Sequence, residues 1–156
     1  MLTTLDHHLE AQQTPLKRAL IELVGIPSVC DEGAEGFPFG PNVDRALRKA
    51  LEIASGLGFR TYYDEDGYYG YAEVGEGREI LGILGHLDVV PVGNLEDWAF
   101  PPFDPVERDG MLFGRGTQDD KGPMLAALFA VKALLDAGMT FSKRVRFIFG
   151  TDEETL

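Results

Sequence analysis

Between Pro123 and Ala137 the chain sets Met124, Leu125, Ala126, Ala127, Leu128, Phe129, Ala130, Val131, Ala133, Leu134 and Leu135 around nearly every side of a helix. A helix that is apolar almost all round belongs in a protein interior, and Gly138 marks its end. Two short apolar runs, Ile80 to Leu84 and Arg144 to Phe149, flank it in sequence. Ile80 to Leu84 reads as a strand buried on both faces, as in a sheet covered by helices, and Arg144 to Phe149 as a second core strand. Strands alternating with helices indicate an α/β fold, a three-layer sandwich.

The remaining elements fit that class. Thr14 can cap and Pro15 open a helix in which Leu16, Ala19, Leu20, Leu23 and Val24 recur at helical spacing until Gly25 and Pro27 end it. Cys30 to Pro41, rich in Gly and acidic residues, reads as an exposed loop. A second helix begins near Asn42, with Val43, Ala46, Leu47, Ala50, Ile53, Ala54 and Leu57 as its buried stripe. Arg60 to Tyr63 and Tyr68 to Val74 form a strand pair about the turn dipeptide Asp66-Gly67. Asp64-Glu65-Asp66 is then only a polar hairpin tip. Pro91 to Pro105 is a long loop, and Met111 to Phe113 a short strand.

At 156 residues the chain fits one domain and can bury roughly two thirds of its unfolded surface. Asp and Glu number 26 against 14 Lys and Arg, a formal charge of −12 with no basic stripe, so nucleic acid and anionic membranes are poor partners. The N-terminal residues lack a basic segment followed by an apolar core, and no run approaches the ~20 apolar residues of a membrane span. The expected location is the cytoplasm. Cys30 is the only cysteine, which excludes an internal disulfide and a thiolate metal cage, and it is a weak candidate nucleophile.

Three motifs carry chemistry: His86-Leu87-Asp88, Gly116-Thr117-Gln118-Asp119-Asp120-Lys121-Gly122 and Gly150-Thr151-Asp152-Glu153-Glu154. One imidazole and several carboxylates, placed where core strands or loops end, make a ligand set for borderline metal ions, and carboxylate bridging allows two of them. Open α/β sheets put their sites beyond strand ends. If the strands before His86 and before Glu153-Glu154 are parallel neighbours, both groups face one crevice. Asp119 and Asp120 are equivalent by chemistry alone. Gly114-Arg115-Gly116 lacks the third glycine of a nucleotide fingerprint. Lys121 and Gly122 shape the loop, and Trp98, Phe100 and Phe103 either line a substrate entrance or anchor their own loop.

In this order the motifs resemble the dinuclear zinc metallopeptidase family of aminoacylases, acetylornithine deacetylase, succinyl-diaminopimelate desuccinylase, glutamate carboxypeptidases and PepV-type dipeptidases. Pro38-Phe39-Gly40, Asp66 to Glu73, Gly85 to Pro91 and Asp119 to Pro123 are most similar to the PepV type. The resemblance implies His86 as ligand of one metal, Glu154 as ligand of the other, Asp119 as the bridging carboxylate and Glu153 as general base. It also implies a cis peptide after Asp119. Asp88 then accepts a hydrogen bond from the free nitrogen of His86 or its neighbourhood and fixes the ring. Two zinc ions are implied, with manganese or cobalt compatible with the same donors.

The implied activity is hydrolysis of short peptides, above all dipeptides with a free N-terminus. The alternatives are an N-acyl-amino-acid deacylase or desuccinylase with the same catalytic residues, and a non-catalytic binding module that has lost its metals. Leu156 follows Glu154 by two residues, whereas family members continue with another acidic ligand, a lid or dimerisation domain and a ligand His. Residues 1–156 are therefore expected to be the N-terminal part of the catalytic domain, incomplete and without the lid. Such a chain is expected to bind zinc weakly, to hydrolyse little alone and to expose apolar surface. Substrate side-chain preference and oligomeric state are not written in these residues.

Overall fold

The computed structural model describes residues 3–155. Helix α1 (Thr4–Val24) starts at Thr4, well before the Thr14-Pro15 start expected from the sequence. A capping box sets that start: the Thr3 hydroxyl accepts from the Asp6 amide at 3.2 Å while the Asp6 carboxylate receives the Thr3 amide at 2.7 Å. Pro15 consequently lies inside the helix, on an exposed position.

The other elements are α2 (Pro41–Gly56), β1 (Arg60–Tyr63), β2 (Tyr69–Val74), β3 (Ile80–His86), the hairpin β4 (Val106–Arg108) and β5 (Met111–Phe113), α3 (Lys121–Asp136) and β6 (Arg144–Gly150). The main sheet has the order β1-β2-β6-β3. β1 with β2 and β2 with β6 are antiparallel, and β6 with β3 is parallel. Ala72, Phe147 and Ile83 share one row across the sheet and Gly70, Phe149 and Gly85 the next, so these residues point to one face.

That face receives the helices. A Cβ on Gly70 would lie 3.0 Å or less from Leu47 and Leu51 of α2, and one on Gly85 would strike Met124 of α3, so glycine at these positions lets the helices come close. α3 is sandwiched between the sheet and α1, with Leu125 and Leu128 wholly buried in the cluster that contains Ala19, Leu23, Phe147 and Phe149. The chain's own α1 thus covers the outer side of α3.

The fold is α/β, and among the described residues the helices lie on one face of the sheet. The expectation that Ile80 to Leu84 is buried on both faces is corrected: β3 is an edge strand, and Leu84 is 76% exposed on the side opposite the helices. An unbroken apolar run reports how hydrophobic a strand is, not which faces are covered. On that open side Glu73 is nonetheless buried, surrounded by Arg60, Arg144 and Arg146, the last at 2.7 Å. Burial pushes the Glu73 carboxyl up, but the Arg146 bond and the neighbouring guanidiniums outweigh it and hold it below the ordinary glutamate range. Among the described residues no helix is long and apolar enough to cross a membrane.

Phe147 has no exposed surface and meets Phe59 edge to face at 5.8 Å. Phe147→Ala is expected to cost about 3–5 kcal/mol, read from the urea unfolding midpoint. Because the folded Glu73 is the stronger acid, its stabilisation is present at neutral pH and is lost as pH falls through the carboxylate range. Glu73→Gln should therefore lie below the parent in stability at pH 7 and approach it in acid; a gap that stays constant with pH would refute this assignment.

Candidate metal centre

β3 and β6 end in register, His86 opposite Gly150, and the Leu87 amide donates to the Gly150 carbonyl at 3.0 Å. Beyond this pair the residues alternate: Leu87 enters the core while His86 and Asp88 turn toward the rim. Asp88 is fully buried, and its Oδ2 accepts the main-chain N–H groups of Glu153 and Glu154, each at 2.9 Å. One carboxylate therefore holds the acidic turn after β6 against the end of β3.

His86 Nδ1 lies 3.0 Å from the Asp88 carbonyl oxygen and 3.4 Å from Asp88 Oδ1, an atom with no hydrogen bond of its own. With its proton assigned to Nδ1 and donated to that carbonyl, the ring presents the Nε2 lone pair outward. Nε2 faces Asp119 Oδ1 at 3.1 Å and Glu153 Oε2 at 3.8 Å. Donor atoms of His86, Glu153 and Glu154 lie within 4.8 Å of one another. Burial pulls the His86 imidazole down, but the Asp88 carbonyl and carboxylate together with Asp119 and Asp120 outweigh it and raise it. Burial, and then the charge of Asp119, push the Glu154 carboxyl up.

The loop from Gly116 to Gly122 closes on itself through the Gly122 amide and the Gly116 carbonyl at 3.2 Å, and its Asp119–Asp120 peptide is cis. The two aspartates, equivalent by chemistry, part ways here. Asp120 turns toward β3, where its Oδ2 accepts the His86 amide at 3.3 Å, and burial raises its carboxyl. Asp119 projects outward with a 75% exposed side chain and meets the imidazole.

The structure thus brings His86, Asp119, Glu153 and Glu154 to one rim, with Asp88 beneath. The Glu153 side chain is 61% exposed, because nothing among the described residues roofs the rim. A cavity of about 520 Å³ adjoins it, walled by the edge-to-face pair Phe39 and Tyr68, by Leu84 and by Thr151 to Glu153. An imidazole nitrogen facing converging carboxylates suits zinc, manganese or cobalt, and a cation there would relieve the mutual repulsion of the acids.

Sequence reasoning passed over two supporting residues. Ser28, fully buried, donates its hydroxyl to the Leu87 carbonyl at 2.6 Å, and its own carbonyl receives the Val89 amide at 3.0 Å. The Cys30 thiol sits 3.6 Å from Asp88 Oδ2; burial, then the Asp88 charge, push it up to about 12, so it stays a protonated donor. Both lie on the irregular segment that follows α1, where no periodicity signals a role. Trp98 donates to the Val92 carbonyl at 2.8 Å and Phe100 packs on Phe113, so these aromatics anchor their own loop.

Residues 82–156 match the family described as peptidase family M20/M25/M40. Over 136 residues the chain is 45% identical to the Bacillus subtilis (strain 168) protein named "Putative dipeptidase YtjP", covering 86% of this chain and 29% of that protein. The chain spans about 29% of the length of this curated relative. Human carnosine dipeptidase 1 superposes with a TM-score of 0.80 at 26% identity over 97% of this chain and 34% of its own. An M20 family metallo-carboxypeptidase of Sulfolobus solfataricus gives a TM-score of 0.76 at 27% identity over 89% and 31%.

Because Asp88 orients both the imidazole and the acidic turn, Asp88→Ala should lower divalent-metal affinity by about 10–100-fold while the circular dichroism of the chain is retained. Titration calorimetry with zinc checks this, and unchanged affinity would remove Asp88 from the site.

Proposed function

We propose that the chain belongs to peptidase family M20/M25/M40, the family that its residues 82–156 match, and that its site serves hydrolysis of short peptides, dipeptides above all, with two zinc ions as cofactors. The observation that carries this reading is the convergence of His86 Nε2 with the carboxylates of Asp119, Glu153 and Glu154. His86 and Glu154 would each hold one ion, and Asp119 would bridge them. When bound, such a pair polarises the scissile carbonyl and lowers the pKa of water toward neutrality.

The chain's own residues do the rest. Glu153, exposed at the cavity rim, takes a proton from the attacking water and passes it to the leaving amine. Asp88 keeps Glu153 and Glu154 in place through their amides and keeps the imidazole oriented. The aromatic wall of Phe39 and Tyr68 gives the peptide an apolar surface to lie against. The dipeptidase names of the relatives support a small peptide as substrate.

Residues 1–156 are read as the part of the catalytic domain that carries these motifs. His86, Asp119 and Glu154 are fewer protein ligands than two closed four-coordinate sites require. The 156-residue chain by itself is therefore expected to hold zinc weakly and to turn over little.

The test is zinc content by elemental analysis together with a panel of unblocked dipeptides and N-acyl-amino acids, run on this chain and on any longer product of its reading frame. Glu153→Gln should leave metal content unchanged and lower turnover about 10²–10⁴-fold. Preference for acyl-amino acids would move the assignment to a deacylase. Absence of bound metal in every form, or full activity in Glu153→Gln, would sink the mechanism.

A further inference from the structure

Lys121 is completely buried, yet its ammonium is held by main-chain carbonyls rather than by a carboxylate: Leu23 O at 3.0 Å and Ile26 O at 2.8 Å. Removing an ammonium from water is costly unless its donors are satisfied. Here one acceptor, Leu23, belongs to the last turn of α1, where the helix dipole is negative, and the other, Ile26, lies just beyond it; each carbonyl also accepts a main-chain amide, from Ile26 and Ser28 respectively. Burial, with the charge of Arg45 added, pulls the amine down to about 7.

The path of this side chain joins two parts of the site. At one end Lys121 directly follows Asp119 and Asp120, and its stem runs beneath Gly116, where an added Cβ would lie 3.1 Å from Lys121 Cδ and 3.2 Å from Val89. The stem therefore fills the space between the Asp119 loop and the residues following β3. At the other end the ammonium grips Ile26, the first residue of a strap running to Cys30. That strap carries the His86 side of the site: Ser28 bonds Leu87 and Val89, and Cys30 bonds Asp88. No hydrogen-bonded ladder joins the Asp119 loop to β3. Its links to the strand are the Asp120 bond to the His86 amide at 3.3 Å and the Asp119 contact with the ring at 3.1 Å.

We propose that Lys121 is a positioning residue for the metal centre, clamping the Asp119 corner onto the Ile26 to Cys30 strap and so setting the separation between Asp119 and His86. The proposal rests on the site assignment made under Proposed function. It assigns Lys121 no contact with substrate or metal. Methionine in its place keeps most of the apolar stem and loses only the grip on the two carbonyls.

Two readouts on the 156-residue chain test it, one with zinc and one without. In Lys121→Met, zinc affinity should fall about tenfold or more, as for other groups that orient ligands. In the metal-free chain, amide hydrogen exchange should quicken by at least about tenfold at Gly122 and His86, while Leu128 and Phe147 keep their protection. Ser28→Ala cuts the strap at its other anchor and should shift the same two amides in the same direction by a smaller factor; if Lys121→Met does not fold, this variant decides.

Uniformly faster exchange through the core, or unchanged exchange at Gly122 and His86 in a folded variant, overturns the proposal. So does an unchanged zinc affinity where the parent chain binds zinc. If the parent binds no zinc, the metal reading of the site fails for this chain, and the exchange pattern alone decides whether Lys121 is a tether.

Discussion

The parallel pairing of β3 with β6 governs everything at the site. A parallel pair needs a crossover, and here the crossover contains the β4–β5 hairpin and α3, which returns on the helical face of the sheet. Both strands end at one rim, and the start of α3 lies at that rim as well, where Asp120 reaches the His86 amide and Met124 packs beneath Gly85. His86, Asp119 and Glu153-Glu154, far apart in sequence, therefore meet at the ends of β3 and β6 and the beginning of α3. Asp88 then locks the arrangement, since one buried oxygen accepts two successive amides of the acidic turn.

Much of this was legible in the sequence, for reasons that can be stated. α3, β6 and the three motifs stood out because an all-round apolar helix and strands ending in acids have few other uses. The helix start at Thr4 was not legible because Pro15 is an equally good opening residue, and only the reciprocal Thr3 and Asp6 bonds reveal the earlier cap. The open face of β3 escaped because apolar content does not encode coverage. Asp119 and Asp120 were indistinguishable until the backbone turned one carboxylate outward and the other toward β3. Ser28 and Cys30 lie where no repeating pattern exists to be read, and Lys121, read from its motif as shaping the loop, reaches carbonyls about a hundred residues away that no local pattern shows.

The site concentrates like charge in a protein that is already acidic, with a formal charge of −12. Burial together with neighbouring acids raises the carboxyls of Asp120 and Glu154, and the surrounding acids raise His86 against its own burial. Burial is the larger cause for both carboxyls, and the proximity of the acids adds to it; hydrogen bonds from main-chain amides to Asp88 and a closed loop hold the carboxylates together. A site left to electrostatics alone would splay. The rigid elements beneath it keep the acids convergent, so a cation bound there would find its oxygens already gathered and would gain attraction without having to order the loops. By linkage, whatever binds the convergent arrangement also stabilises the fold that enforces it. The restraints on Asp88 and Lys121 are thus best understood as the means by which a small α/β sheet supports a cluster of acids that would otherwise separate.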